Sequence, residues 1–162
     1  MKKIALSIAA VALSISSLSA LTISAGAMKL KDFDRGLVVS VGNELRNSDD
    51  LVAWRTAFNI NFGKFNYNND NKKYYYGDMT LGAGLDYKFS DKCGAYIMPE
   101  LGAGKLDGNG FWKFAGKIGT YYNVTKSIEL GAAFEAGKLK FVSSDLTNQT
   151  FNNIEGYFNY KF

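Results

Sequence analysis

The groups in this sequence that could do chemistry are almost all charged side chains. The chain of 162 residues contains 19 Lys and Arg and 15 Asp and Glu, but no histidine and a single cysteine. Without histidine, a Ser-His-Asp or Cys-His nucleophile cannot form, and neither can a zinc site of the Cys/His type. One cysteine permits no internal disulfide and no thiolate cluster. Ion pairing, or acid–base catalysis by paired carboxylates, is the chemistry that remains.

The charged residues occupy alternate positions in segments whose intervening positions are apolar. Over 52–63, even positions carry mainly apolar side chains such as Trp54, whereas odd positions are polar or small and include Arg55. A period of two indicates β-strands with one apolar face. Strands of soluble proteins are usually about 5 to 6 residues long, whereas a strand tilted through a bilayer needs about 9 to 11. The segments here reach or exceed the length that a bilayer requires. The same alternation recurs at 75–89, 95–104, 112–122, 128–137 and 153–162.

Aromatic side chains concentrate near the ends of the apolar faces, with Leu, Ile and Ala nearer the middle. This distribution is typical of the aromatic girdles that flank a lipid-facing band. A soluble sandwich or lipocalin-like barrel also alternates, but its apolar face points inward and is mostly aliphatic. The opposite face is rich in Gly, Ala and Ser, as a narrow lumen requires. The predicted girdle residues are Trp54, Tyr75, Tyr87, Phe89, Trp112 and Tyr122.

Polar connectors separate seven strands, the first of which is predicted at 37–45. Shorter and longer connectors alternate, and in outer-membrane barrels short turns face the periplasm while longer loops face outside. If the chain ends on the periplasmic side, the 37–45 strand begins outside, so an eighth strand must precede it. That strand is predicted at 21–28, followed by loop one at 29–35. The other predicted connectors are 47–50, 65–72, 90–92, 105–110, 123–126 and 142–149.

The first residues have the layout of a secretory signal peptide, with a basic start at 1–3 and an apolar run over 4–15 that is too short to favour a spanning helix. Cleavage after Ala27 fits the A-x-A pattern better, but it would leave an odd number of strands, which single-chain bacterial barrels avoid. We therefore predict a signal peptide at 1–20, with the cut after Ala27 as the alternative, and a barrel domain at 21–162. Removing Lys2 and Lys3 from the 19 basic residues leaves 17 against 15 acidic ones, which gives no indication of a nucleic-acid partner.

The chain ends in an alternating apolar and aromatic tail that contains Ile154, Phe158, Tyr160 and Phe162. This tail resembles the C-terminal signature of outer-membrane β-barrel proteins, and the chain as a whole is similar to the small eight-stranded group typified by the OmpA transmembrane domain and OmpX. The resemblance implies a Gram-negative outer membrane. We further predict a monomer in contact with membrane lipid and lipopolysaccharide, without a cofactor. The resemblance also implies insertion by the barrel assembly machinery, which would recognise Phe158, Tyr160 and Phe162 in the final strand.

The inward charges are interpreted as a salt-bridged network that fills the lumen. An eight-stranded barrel has an interior just wide enough for its own side chains, and an unpaired charge there costs several kcal/mol. Aligning the strand midpoints places Arg55 near Asp78, and Lys117 between Glu100 and Glu135. The predicted network is Arg55, Asp78, Glu100, Lys117, Glu135 and Glu155. A wider inward set adds Glu44, Arg46, Asp86, Lys88, Lys113, Glu129 and Lys161.

The predicted fold class is all-β: an antiparallel up-and-down transmembrane β-barrel of eight strands, preceded by a cleaved signal peptide. Two functions remain open. One is a structural or surface-interaction barrel, and the other is a narrow channel or transport barrel for ions or small solutes. An enzyme is disfavoured, because histidine is absent and the lumen has no sugar-sized cleft for paired carboxylates. The loop residues that suit anionic lipid phosphates are Lys29, Lys31, Lys72, Lys73 and Lys105.

Overall fold

The structure of the chain, a computed structural model, describes residues 20–67, 72–142 and 147–162. Eight β-strands form one closed antiparallel barrel, in which each strand pairs with its neighbours in the chain and β8 pairs with β1. The predicted eight-stranded up-and-down barrel is therefore confirmed. Of the predicted signal peptide at 1–20, residues 1–19 lie outside the described residues, and Ala20 is the first residue of β1. The strands are β1 Ala20–Leu30, β2 Arg35–Arg46, β3 Val52–Asn66, β4 Lys73–Lys88, β5 Cys93–Leu106, β6 Asn109–Asn123, β7 Ile128–Phe141 and β8 Gln149–Lys161.

The alternation of the sequence distributes the side chains between two faces. In β8, burial and exposure alternate at every position from Gln149, which is buried, to Tyr160, which is exposed. The outward side chains are mainly apolar, and Leu81 and Ile154 are each 64 % exposed. An apolar outer face that continues around a barrel matches the hydrocarbon of a bilayer, so the strands are transmembrane. The described residues contain no helix that is long and apolar enough to cross a membrane.

The two ends of the barrel carry different connections. The end with both termini of the described chain also has the turns at 47–51, 89–92 and 124–127, and we call it the terminal end. We call the opposite end the loop end. Its connections are 31–34, 67–72, 107–108 and 142–148.

The predicted connectors at the loop end are shorter in the structure. Loop one is 31–34 rather than 29–35, because β1 extends to Leu30 and β2 begins at Arg35, and the predicted 142–149 connector ends at 148. Phe65 and Asn66 belong to β3, so the predicted 65–72 connector starts two residues too early. The predicted 105–110 loop is a hairpin whose turn residues, Asp107 and Gly108, have φ values of 48° and 87°. Positive φ at both central positions is typical of a type I′ turn, whose twist matches that of the flanking strands. The predicted alternation of long and short connectors is therefore wrong at this hairpin.

Three layers of side chains fill the barrel from the loop end to the terminal end. An apolar cluster closes the loop end. Ion pairs around Lys113 and Lys117 occupy the centre. Arg55, with three tyrosines, lies nearest the terminal end.

Candidate functional site

Lys113 links the upper part of the lumen to its centre. Its ammonium group lies 2.7 Å from Glu135 Oε1 and 3.4 Å from Asp78 Oδ2, and all three side chains are buried. The Tyr76 hydroxyl donates to Asp78, while the Tyr76 ring stacks on Phe111 with centroids 5.5 Å apart. One lysine therefore connects β4, β6 and β7, and Tyr76 joins this ion pair to the apolar cluster above it.

Lys117 lies four residues after Lys113 on the same face of β6 and connects a different pair of strands. Its ammonium group lies 2.6 Å from Glu44 Oε1 on β2 and 2.7 Å from Glu155 Oε1 on β8. The Ser24 hydroxyl donates to Glu155 Oε2 at 3.1 Å. Because β2 lies opposite β6 in the closed barrel, Lys117 spans the lumen to Glu44, and it also reaches Glu155 on β8, two strands away from β6.

Arg55 is fully buried, and its guanidinium binds three carboxylates. It lies 3.2 Å from Glu44 and 3.1 Å from Asp86, and it also donates to Glu129. Glu44 is shared with Lys117, so the arginine layer and the central ion pairs form one continuous network. Guanidinium suits this position, because its five N–H donors can serve several carboxylates at once.

Three tyrosine rings surround the guanidinium. The Arg55 Cζ atom lies 4.3 Å from the ring centroid of Tyr96, 5.2 Å from that of Tyr121 and 5.9 Å from that of Tyr157. Each tyrosine lies opposite a glycine on a neighbouring strand. A Cβ atom at any of these glycines would overlap the tyrosine side chain, so glycine is needed there to accommodate the ring. The pairs are Tyr96 with Gly119, Tyr121 with Gly94 and Tyr157 with Gly131.

An apolar plug closes the lumen at the loop end. Phe33, from the connection between β1 and β2, is fully buried in it and packs edge-on against Phe65 and Tyr74, with centroids 6.3 Å and 5.2 Å apart. No charged side chain belongs to this described cluster, so an ion would have to lose its hydration to pass it. The plug consists of Met28, Leu30, Phe33, Val38, Phe65, Tyr76, Leu106, Phe111, Leu139 and Phe151.

Glu100 differs from the other buried carboxylates. It is 3 % exposed and forms no ion pair with any described cation, and its Oε1 atom has no hydrogen-bond partner among the described residues. The cavity beside Glu100 measures about 10 Å³, which is room for about one water molecule.

The predicted pair of Arg55 and Asp78 is wrong. Arg55 lies opposite Gly84 in the pairing of β3 with β4, whereas Asp78 lies opposite Asn61, which donates to it. Six residues of strand separate the two positions, a distance of about 20 Å. The midpoint alignment failed because neighbouring strands of a barrel are staggered along its axis.

The predicted neighbours of Lys117 are correct on one side only. Lys117 lies opposite Glu135, as predicted, but it lies opposite Met98 rather than Glu100, which pairs with Ala115. Its ammonium group contacts neither glutamate and binds Glu44 and Glu155 instead. The error arises because a long side chain in a narrow barrel reaches strands that are not adjacent in the sheet.

Several residues of the observed ion-pair network belong to the wider inward set and not to the six residues of the predicted network. Glu44, Asp86, Lys113 and Glu129 all take part in buried ion pairs. Their position on the inward face was visible in the period of two, but their depth depended on the stagger. The tyrosines around Arg55 and the apolar plug were not predicted. The signal for the plug was the change from polar to apolar residues at inward positions near the loop end, as at Phe111 and Phe151.

The predicted girdle residues all project outward and are 46–63 % exposed. Tyr75 and Trp112 lie toward the loop end, whereas Trp54, Tyr87, Phe89 and Tyr122 lie toward the terminal end. In the last strand, Phe158 and Tyr160 are exposed on the outer face, and Phe162 follows the strand with 78 % exposure. The roles of these residues as a girdle and as an assembly signal remain predictions.

The geometry defines the class of protein: a small transmembrane β-barrel with eight strands and a filled lumen. No protein-family model matches the chain, and no curated protein matches it. Solved structures do share the fold. Neisserial surface protein A (NspA) has a TM-score of 0.59 and 16% sequence identity, and the match covers 88% of this chain and 96% of that one.

Two other similar structures are those of an outer membrane enzyme and of an attachment protein. The outer membrane enzyme PagL has a TM-score of 0.58 at 9% identity, over 87% of this chain and 99% of that one. Ail, the attachment invasion locus protein of Yersinia pestis, in complex with the heparin analogue sucrose octasulfate, has a TM-score of 0.54 at 13% identity, over 88% and 95%. At these identities the matches show the fold alone. They confirm the resemblance to small outer-membrane barrels.

Proposed function

We propose that this chain is an integral outer-membrane barrel with a closed lumen and a structural or surface-interaction role. The observation that carries the proposal is the filled interior, in which the apolar plug and the ion-pair network leave a cavity of only about 10 Å³ among the central charges. A barrel of this kind presents its loops and outer wall to partners and keeps its interior for stability.

The proposed orientation places the loop end outside the cell and the terminal end in the periplasm. Short turns on the periplasmic side and both chain termini there are the usual arrangement of bacterial barrels. The proposed export route is a signal peptide removed after Ala20, followed by insertion through the barrel assembly machinery, with Phe158, Tyr160 and Phe162 as the signal. The mature protein is proposed to be a monomer in contact with lipopolysaccharide and other outer-membrane lipid.

Catalysis is not part of the proposal, although PagL shows that the fold can belong to an enzyme. The chain has no histidine to serve as a general base. The carboxylates on the inner face are buried, and all of them except Glu100 contact a cation. Buried carboxylates in this arrangement stabilise the barrel and offer no cleft for a substrate.

Cell fractionation tests the location. We expect the protein in the outer-membrane fraction, and we expect its electrophoretic mobility to change on boiling, because a closed barrel resists detergent until it is heated. A protein found in periplasmic extract, with one mobility before and after boiling, would show that the location is wrong.

Planar-bilayer recording of the refolded barrel tests the closed lumen. We expect no stable conductance steps. If steps occur, Lys117→Ala tests their origin, and Lys138→Ala, which removes the same charge from the outer face, is the matched control. Steps that Lys117→Ala alters and Lys138→Ala leaves unchanged would establish a path through the lumen and overturn the proposal in favour of a channel.

A further inference from the structure

Two lysines flank a threonine on the outer face of the loop end. Lys138 of β7 lies opposite Thr150 of β8, and on the other side of β8 the backbone amide of Lys31 donates to the Thr150 carbonyl at 3.0 Å. All three residues are exposed. Neighbouring strands are about 4.8 Å apart, so the two lysine backbones are about 10 Å apart with the threonine between them. Side chains as long as lysine can converge on a group bound over Thr150.

These lysines have no acidic partner in the part of the chain that the structure describes. Lys31, Lys138 and Lys140, which shares the outward face of β7, form none of the salt bridges found there. The carboxylate of Asp32, next to Lys31, accepts a hydrogen bond from Gln149 Nε2 at 2.6 Å, and Gln149 is buried. The outer surface around Thr150 therefore carries a concentrated positive charge that the described carboxylates leave uncompensated.

Apolar surface continues directly from this positive patch. A groove of about 240 Å³ runs past Thr150 over Ala136 and Phe134, and a second groove of about 520 Å³ runs from Thr150 to Phe114. Both follow the wall of the barrel into its lipid-facing band. Ammonium groups at the end of an apolar surface suit a ligand that joins an anionic group to hydrocarbon chains.

We propose that Lys31, Thr150 and Lys138 bind the phosphate monoester of an acylated membrane lipid, whose chains lie in the grooves over Ala136 and Phe114. The proposal rests on the proposed function, since the lipid must occupy the leaflet at the loop end. The two ammonium groups donate charge-assisted hydrogen bonds to the phosphate, and the Thr150 hydroxyl donates a third. The lipid is favoured over a soluble phosphate because the grooves open to the membrane.

Native mass spectrometry of the barrel released from nanodiscs tests this site. The nanodiscs contain phosphatidylcholine with a minor fraction of phosphatidic acid, and the measurement is the fraction of barrels that retain phosphatidic acid. We expect the double variant Lys31→Gln/Lys138→Gln to lower this association about 25-fold, because each lysine at an anionic surface contributes about fivefold. Thr150→Val is expected to give a smaller loss in the same direction.

The matched control is Lys73→Gln/Lys105→Gln, which removes two exposed lysines from the loop end at positions away from Thr150. An equal loss of bound phosphatidic acid in both double variants would show that a general surface potential attracts the lipid. No loss in either variant would show that the lipid does not bind through Lys31 and Lys138. Both results would overturn the site. Displacement of phosphatidic acid by soluble glycerol phosphate would overturn the choice of a lipid. If only the lipid site is wrong, the wild-type protein is still found in the outer-membrane fraction and its mobility still changes on boiling. If the proposed location is wrong, the wild-type protein fails those two tests before any lysine is replaced.

Discussion

The cations inside this barrel and those on its outer wall differ in their partners. Within the lumen, Arg55, Lys113 and Lys117 each contact at least two carboxylates. On the outer wall, Lys31 and Lys138 contact none of the described carboxylates. Burial explains the difference, because a charge in a confined lumen is costly unless it is paired, whereas an exposed ammonium group keeps its hydration. The inner cations therefore hold the barrel together, and the outer ones are available to a ligand.

The largest expected effect comes from removing the most heavily paired cation. Arg55→Met leaves Glu44, Asp86 and Glu129 buried with fewer partners, so we expect the free energy of unfolding to fall by about 3 to 5 kcal/mol. The measurement is urea-dependent folding into phospholipid vesicles, followed by the fluorescence of Trp54 and Trp112, which both face outward.

The control for this prediction is the same substitution on the outer wall. Lys138→Met removes one exposed charge and is expected to change the free energy of unfolding by no more than about 0.5 kcal/mol. Equal effects of the two substitutions would contradict the distinction between paired inner cations and unpaired outer ones.

A smaller effect is expected at the glycines that accommodate the tyrosines around Arg55. In Gly131→Ala the new methyl group meets the Tyr157 ring, so the ring must move away from the guanidinium. We expect a loss of about 1 to 3 kcal/mol in the free energy of unfolding, as for other overpacked interiors. The control is Gly116→Ala, since no atom lies within 4 Å of a Cβ placed there. If both variants unfold like the wild type, the glycine–tyrosine contacts do not determine the packing of the arginine layer.

The fold could be predicted from the sequence because every strand carries its own evidence for two faces. The alternation in 153–162 or 75–89 depends only on local composition, and a one-residue error would exchange the faces. The eighth strand followed from counting, and β1 indeed covers Ala20–Leu30. The hairpin at Asp107 and Gly108 was mistaken for a loop because the polar residues around it also fit the ends of two strands.

The candidate site was predictable by face but not by depth. The inward position of Arg55 follows from the period of two, yet its partners depend on how far β3 is staggered against β4, which no local pattern records. Lys117 illustrates a second limit, because its partners lie on β2 and β8, neither of which is adjacent to β6 in the sheet. The plug was not predicted because a period of two identifies the inward face but does not show that its residues change from polar to apolar toward the loop end.

Glu100 is buried but contacts no described cation, whereas the other buried carboxylates of the lumen are paired. If pairing rather than burial decides what each carboxylate contributes, Glu135→Gln weakens the contact with Lys113 and lowers the free energy of unfolding by about 1 to 2 kcal/mol. Glu100→Gln replaces a carboxyl group that contacts no described cation with an amide of the same shape, and it is expected to change this free energy by less than about 0.5 kcal/mol. Urea-dependent folding into vesicles compares the two variants at one pH. A larger loss of free energy for Glu100→Gln than for Glu135→Gln would contradict this prediction. It would mean that the Glu100 carboxylate has a stabilising partner, as the other buried carboxylates do.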